Sequence, residues 1–189
     1  MHPDWLDDNG SLLGGGSPLP LDTPFTRDMA LARGVSRRHL EAMLRCGLVR
    51  PVVRGAYAAA QAPDDTAMRA AALGLVVPTH AVVADRTAAW LHGVAILPRS
   101  ALRVAPPLQL VSAQDTRVRR PEADGRRRGL AERDVVMVHG VRVTSPNRTA
   151  LDLGRLLWRF DALAALDGFL RVGARRDELV AETGRFRGF

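Results

Sequence analysis

Apolar positions along the chain change spacing twice. From Thr26 to Tyr57 they fall in short helical groups cut by glycine; from Val135 a period of two gives way to helical spacing again. Thr26 suits an N-cap and Asp28 a first turn, for a helix running to about Ala32. Arg33-Gly34-Val35 breaks it, and Ser36 caps a second helix, Arg37 to Cys46, closed by Gly47. Leu40, Met43 and Leu44 stand at i, i+3 and i+4, one apolar stripe with basic residues opposite. Two short helices across a glycine turn predict a helix-turn-helix. Leu48 to Val53 then reads as a strand that Pro51 confines to a sheet edge. Arg54-Gly55 can turn it back through Ala56-Tyr57-Ala58, which makes a candidate wing.

The rest of the pattern predicts a mixed domain. Met1 to Pro24, with Gly14-Gly15-Gly16-Ser17-Pro18, reads as a flexible arm. Only Pro3 to Asp8 could begin a helix there, so the helix that normally precedes the other two in a winged domain is not evident. Gln61 to Asp65 is a linker, and Thr66 to Val77 a helix stopped by Pro78. Ala81 to Ala84 is a short strand or a lead-in to the next helix, Arg86 to His92, which Asp85 caps. Residues 102–105 and 108–111 alternate as strands, separated by Pro106-Pro107. Val135 to Thr144 is a hairpin about His139-Gly140. Ser145-Pro146 opens a helix through Leu153, and two more follow, Asp161 to Val172 and Arg176 to Glu182. Leu163, Leu166, Phe169 and Leu170 read as core. The expected fold is α/β: an arm over 1–24, a winged helix-turn-helix over 25–60 and a mixed α/β domain over 64–183.

Charge gives the first of these stretches a partner. The chain carries a net +7, and all 27 basic residues are Arg. Residues 25–57 hold seven Arg against Asp28 and Glu41, a local +5, and residues 117–128 add +4. An anionic partner follows. The candidate DNA contacts are Ser36, Arg37, Arg38 and His39 at the start of the second helix, with Arg45, Arg50 and Arg54. Arg117, Arg119, Arg120, Arg126, Arg127 and Arg128 form a candidate phosphate-contact loop.

Catalytic chemistry finds little support. Without Lys there is no phosphate-binding loop and no amine nucleophile. The five His show no metal-ligand spacing, and Cys46 stands alone, so a metal site, a cofactor and an intrachain disulfide are not expected. The longest apolar run, Ala70 to Pro78, is too short for a membrane helix. A non-enzymatic cytoplasmic protein is the expectation.

Several segments carry a family likeness. FTRDMALARGVSRRHLEAMLRCG with the following RGAY, then DRTAAWLHGV, HGVRVTSPNRTALDLGR and ALAALDGFLRVGARRDELV, resemble AbiEi-type antitoxins of type IV toxin–antitoxin systems, in their actinobacterial branch. VTSPNRTALDL is the most specific of them. The resemblance implies a winged helix that binds inverted repeats in its own promoter, autorepression, and a role in phage defence. It also implies an α/β domain that counteracts a nucleotidyltransferase-like toxin, and a homodimer on DNA. Thr144, Ser145, Arg148, Thr149 and Asp152 match the second domain's signature, and a capped helix docked on a hairpin accounts for them. Longer relatives of this branch continue into an endonuclease-like domain, which this chain is expected to lack. The alternatives are a non-catalytic protein-interaction module and a shortened remnant of an endonuclease-linked regulator.

Overall fold

The computed structural model describes residues 11–94, 96, 108–112 and 123–186, the stretch 123–127 by its backbone alone. The fold is α/β, with seven α-helices and eight strands among the described residues. They divide into two compact units, the chain passing from one to the other between Val77 and Pro78.

In the first unit, strand β1 (Phe25–Thr26) leads into helices α1 (Arg27–Ala32) and α2 (Arg37–Arg45). Thr26 Oγ1 accepts from the Met29 amide and Ser36 Oγ from that of His39, so both N-caps form as the sequence predicts. Both helices end on a left-handed glycine, Gly34 and Gly47, with the next residue's amide reaching back five residues. The hairpin of β2 (Val49–Val53) and β3 (Ala56–Ala59) follows, and the sheet order β1-β3-β2 puts Pro51 on an edge strand. Helix α3 (Thr66–Val76) belongs here too, because Met68 packs against Val52, Ala58 and Ala62. The sequence pattern alone places this helix with the second domain. Its alanine-rich face needs an apolar floor, and the back of the hairpin provides one.

The arm is a second correction. Leu13 and Leu19 are buried in the same core as Phe25, Leu40 and Met43, and the Gln61 amide donates to the Leu13 carbonyl at 2.7 Å. Among the described residues no helix precedes α1; two leucines on irregular backbone help close that core. Glycine and proline set the backbone style of residues 11–24, but they do not decide whether its leucines are buried.

The second unit is built on a five-stranded sheet ordered β6-β5-β4-β8-β7. These are β4 (Ala81–Val83), β5 (Leu108–Ser112), β6 (Ala123–Arg127), β7 (Val135–Val138) and β8 (Val141–Thr144). Central β4 is buried along its whole length, antiparallel to β5 and parallel to β8. The β7–β8 turn uses His139 and Gly140 at φ 44° and 82°, the left-handed pair a two-residue hairpin needs. Helices α4 (Asp85–Leu91), α5 (Pro146–Leu156), α6 (Arg159–Arg171) and α7 (Arg176–Glu182) complete the unit. Phe169, Leu153, Ala165 and Leu179 are buried together in its helical core.

Three local expectations change. Asp85 does not cap α4: it sits at φ 50° and is buried, with Ala84 in the cap position. Residues 123–127, expected as part of the arginine-rich loop, pair in parallel with β5. In α6 only part of the supposed core stripe points inward, since Phe169 is buried while Leu163 and Leu170 are exposed. The segment 102–105 lies outside the described residues.

Candidate nucleic-acid interface

Helix α2 is held by its apolar side and shows its basic side. Leu40 and Met43 are buried, while Arg37, Arg38, His39 and Arg45 are exposed. Ser36 is engaged in the cap, so its hydroxyl serves the helix first. Arg37 Nε donates to Glu41 Oε1 at 2.9 Å across one turn, and this pairing holds the Glu41 carboxyl below its usual range. With side chains 70% and 51% exposed, that pair is easily exchanged for another anion. Arg54 is exposed at the hairpin turn beside Gly55.

Arg50 is placed differently. Its guanidinium donates to the carbonyls of Ala62 and Pro63 at 3.1 and 3.2 Å, so it braces the hairpin against the following turn. Sequence alone groups it with the free arginines because nothing local reveals partners twelve residues ahead.

The proposed phosphate loop resolves only in part. Arg117, Arg119 and Arg120 lie outside the described residues, and Arg126 and Arg127 fall on β6. Arg128 is bound within the chain: Nη1 donates to Asp85 Oδ1 and Asp152 Oδ2, both at 2.8 Å. Burial alone would lower its pKa, but its hydrogen bonds to Asp85 and Asp152 and the charges of those carboxylates together outweigh it, and the guanidinium is held more firmly charged. Arg128 therefore closes an internal network and is not a free phosphate contact.

That network runs through the second unit. Arg148, with a 3% exposed side chain, donates from Nε to Asp152 at 2.8 Å and from Nη1 to Asp134 at 2.7 Å. The same Nη1 reaches the Gly129 carbonyl at 3.0 Å. Arg185 grips both oxygens of Asp134, at 2.8 and 2.7 Å, and also bonds Glu182. Burial works to raise the Asp134 pKa, yet the Arg185 fork, the Ala131 amide and Arg148 bring it down to about 2. Phe186 covers the cluster, its ring centroid 5.2 Å from the Arg148 guanidinium carbon and 4.6 Å from that of Arg155. Every carboxylate here is matched to guanidinium. Among the described residues no three His, Cys, Asp or Glu side chains stand close enough to hold a metal ion.

The most specific motif has a structural use. Ser145 caps α5 by accepting from the Arg148 amide, and Pro146 takes the first helical position. Thr149 Oγ1 lies 3.0 Å from the Thr144 carbonyl and 2.7 Å from its hydroxyl, tying α5 to the end of β8. His92, which the sequence leaves at a helix end, donates from Nε2 to the same carbonyl at 2.8 Å. Its burial lowers its pKa, which favours the neutral ring. Sequence reasoning finds Arg148 and Asp152 from the motif but misses Asp85, Asp134 and Arg185. Only the Arg148/Asp152 spacing of four is a readable signal.

One unit presents a basic helix, and the second is organised around paired charges. Residues 80–186 match the family described as AbiEi antitoxin C-terminal domain, more than half of the chain. The chain belongs to that family, which is regulatory and gives it an antitoxin's part in a toxin–antitoxin system. The match takes in every member of the charged network from Asp85 to Arg185. No match was found among curated proteins. No helix among the described residues is long and apolar enough to cross a membrane.

Proposed function

We propose that the chain is a DNA-binding antitoxin and transcriptional autorepressor of a type IV toxin–antitoxin operon. In this reading α1, α2 and the β2–β3 hairpin form a winged helix-turn-helix that binds inverted repeats in the operon's promoter. The second unit acts against a nucleotidyltransferase-like toxin. The observation that supports the DNA half is α2 itself: Leu40 and Met43 anchor one side, leaving Arg37, Arg38 and Arg45 exposed on the other. In helix-turn-helix proteins the first residues of the second helix meet base edges. Arg37 and Arg38 occupy those positions, and Arg54 suits a phosphate contact from the wing.

The roles separate by experiment. Replacing Arg37 and Arg38 together by Ala should lower affinity for the promoter fragment by about 1–3 kcal/mol for each arginine–base pairing removed, and should narrow the gap from scrambled DNA. Arg54→Ala should weaken all sequences alike and reduce the slope of log K against log salt by roughly 0.9. Gel-shift titrations at several salt concentrations read both. Unchanged promoter affinity in the Arg37/Arg38 variant would refute the recognition-helix assignment.

A further inference from the structure

Helix α6 has two apolar sides, and the unit's core uses one of them. Ala162, Ala165 and Phe169 are buried. On the other side Phe160 and Leu163 are each 57% exposed, and Trp158, just ahead of the helix, is 69% exposed. One apolar stripe is enough to dock a surface helix, and a second, contiguous one marks an interaction surface.

The charges on this side are ordered. Arg159 and Asp167 lie four residues before and after Leu163, so the three share one ridge of the helix. Arg159 stacks over the Trp158 and Phe160 rings, at 5.7 and 4.7 Å from their centroids. Among the described residues, no ion pair within the chain involves Arg159 or Asp167. The neighbouring Asp161 is already taken, by Arg86 at 3.1 Å.

We propose that this face of α6 binds a second copy of the chain, the two helices packing antiparallel about a two-fold axis at Leu163. A two-fold axis there exchanges the residue four places before Leu163 with the one four places after it. Leu163 then meets its own counterpart, and Arg159 of each copy stands level with Asp167 of the other. The pairing uses both unmatched charges twice and buries the aromatic pair at its ends. An unrelated partner would require no such symmetry of charge about an apolar centre, and this is the reason to name a second copy as the occupant. A helix of 13 residues is about 20 Å long, so its face falls short of the roughly 800 Å² per partner of a stable interface. The dimer is therefore weak in solution and strengthened wherever two copies are held side by side, as on paired DNA half-sites.

Sedimentation equilibrium of the full chain without DNA tests this, and its outcome is independent of the promoter-binding reading. Over roughly a hundredfold range of concentration the average mass should climb from 20.5 kDa toward twice that value. Leu163→Asp should hold it at the monomer. Arg159→Glu and Asp167→Arg should each weaken dimerisation about tenfold, and combining them should restore most of the loss. All three side chains are exposed, so thermal melts by circular dichroism should stay near that of the parent. A constant monomer mass would overturn the proposal. So would a dimer indifferent to Leu163→Asp, a double variant that recovers nothing, or a face that binds the toxin while the chain stays monomeric.

Discussion

Arg148 shows how much one side chain can organise. It lies one turn before Asp152 on α5, and its guanidinium reaches Asp152, Asp134 and the Gly129 carbonyl while almost wholly buried. Replacing it with Met would leave two buried carboxylates short of a partner and a carbonyl without its donor. The expected loss is about 3 kcal/mol or more in urea unfolding, since breaking a buried pair from one side typically costs about 3–5. Lys should recover only part, because one ammonium cannot reproduce a fork that serves three acceptors. At this scale the sequence is legible where partners are near. The caps at Thr26, Ser36 and Ser145 and the His139-Gly140 turn all follow from neighbours. Asp85 is misread because its partner Arg128 lies 43 residues away, and no local rule links a left-handed, buried aspartate to a distant arginine.

Among the elements, the pattern predicts the helices to within three residues, but their faces less well. Alanine-rich helices give little contrast between sides, so sequence assigns α3 to the wrong neighbour and takes the stripe of α6 as all core. Helix glycines expose the packing that sequence conceals. Gly74 in α3 has open space where a Cβ would stand, so Gly74→Ala should stabilise the first unit by about 0.8–1 kcal/mol through helix propensity alone. Gly168 in α6 is the opposite case: a Cβ there would come 2.5 Å from Val94 Cγ1, a stiff side chain in the buried core. Overpacking of that kind typically costs about 1–3 kcal/mol, enough to cancel or reverse the propensity gain. Chemical denaturation of both variants should therefore show Gly74→Ala as more stable than the parent and Gly168→Ala as less stable. If Gly168→Ala matched Gly74→Ala in its gain, the packing of α6 on Val94 would be wrong.

For the whole molecule, the α/β class is legible because the hairpins and caps punctuate the chain; the placement of the unit boundary is not, because it depends on what α3 packs against. The two units also differ in how they use carboxylates, and this makes acid a selective probe. In the first unit Asp64 pairs with Arg69 but is 53% exposed, and such surface pairs contribute little. In the second, Asp134 is 2% exposed and its pKa is held at about 2, against 3.8 for a free side chain. A carboxyl depressed in the folded state contributes stability above its unfolded value, and that contribution disappears as pH falls through the folded one. For Asp134 it amounts to about 2 kcal/mol, lost between about pH 4 and pH 2. Acid titration followed by hydrogen exchange, corrected for intrinsic rates, should therefore show peptides from 78–186 losing protection before those from 25–60. Asp134→Asn should already lack that contribution at about pH 6, so the second unit starts weaker and falls less steeply over the same interval. If the two units lost protection together in both proteins, the buried arginine–aspartate network would not be what holds the second one.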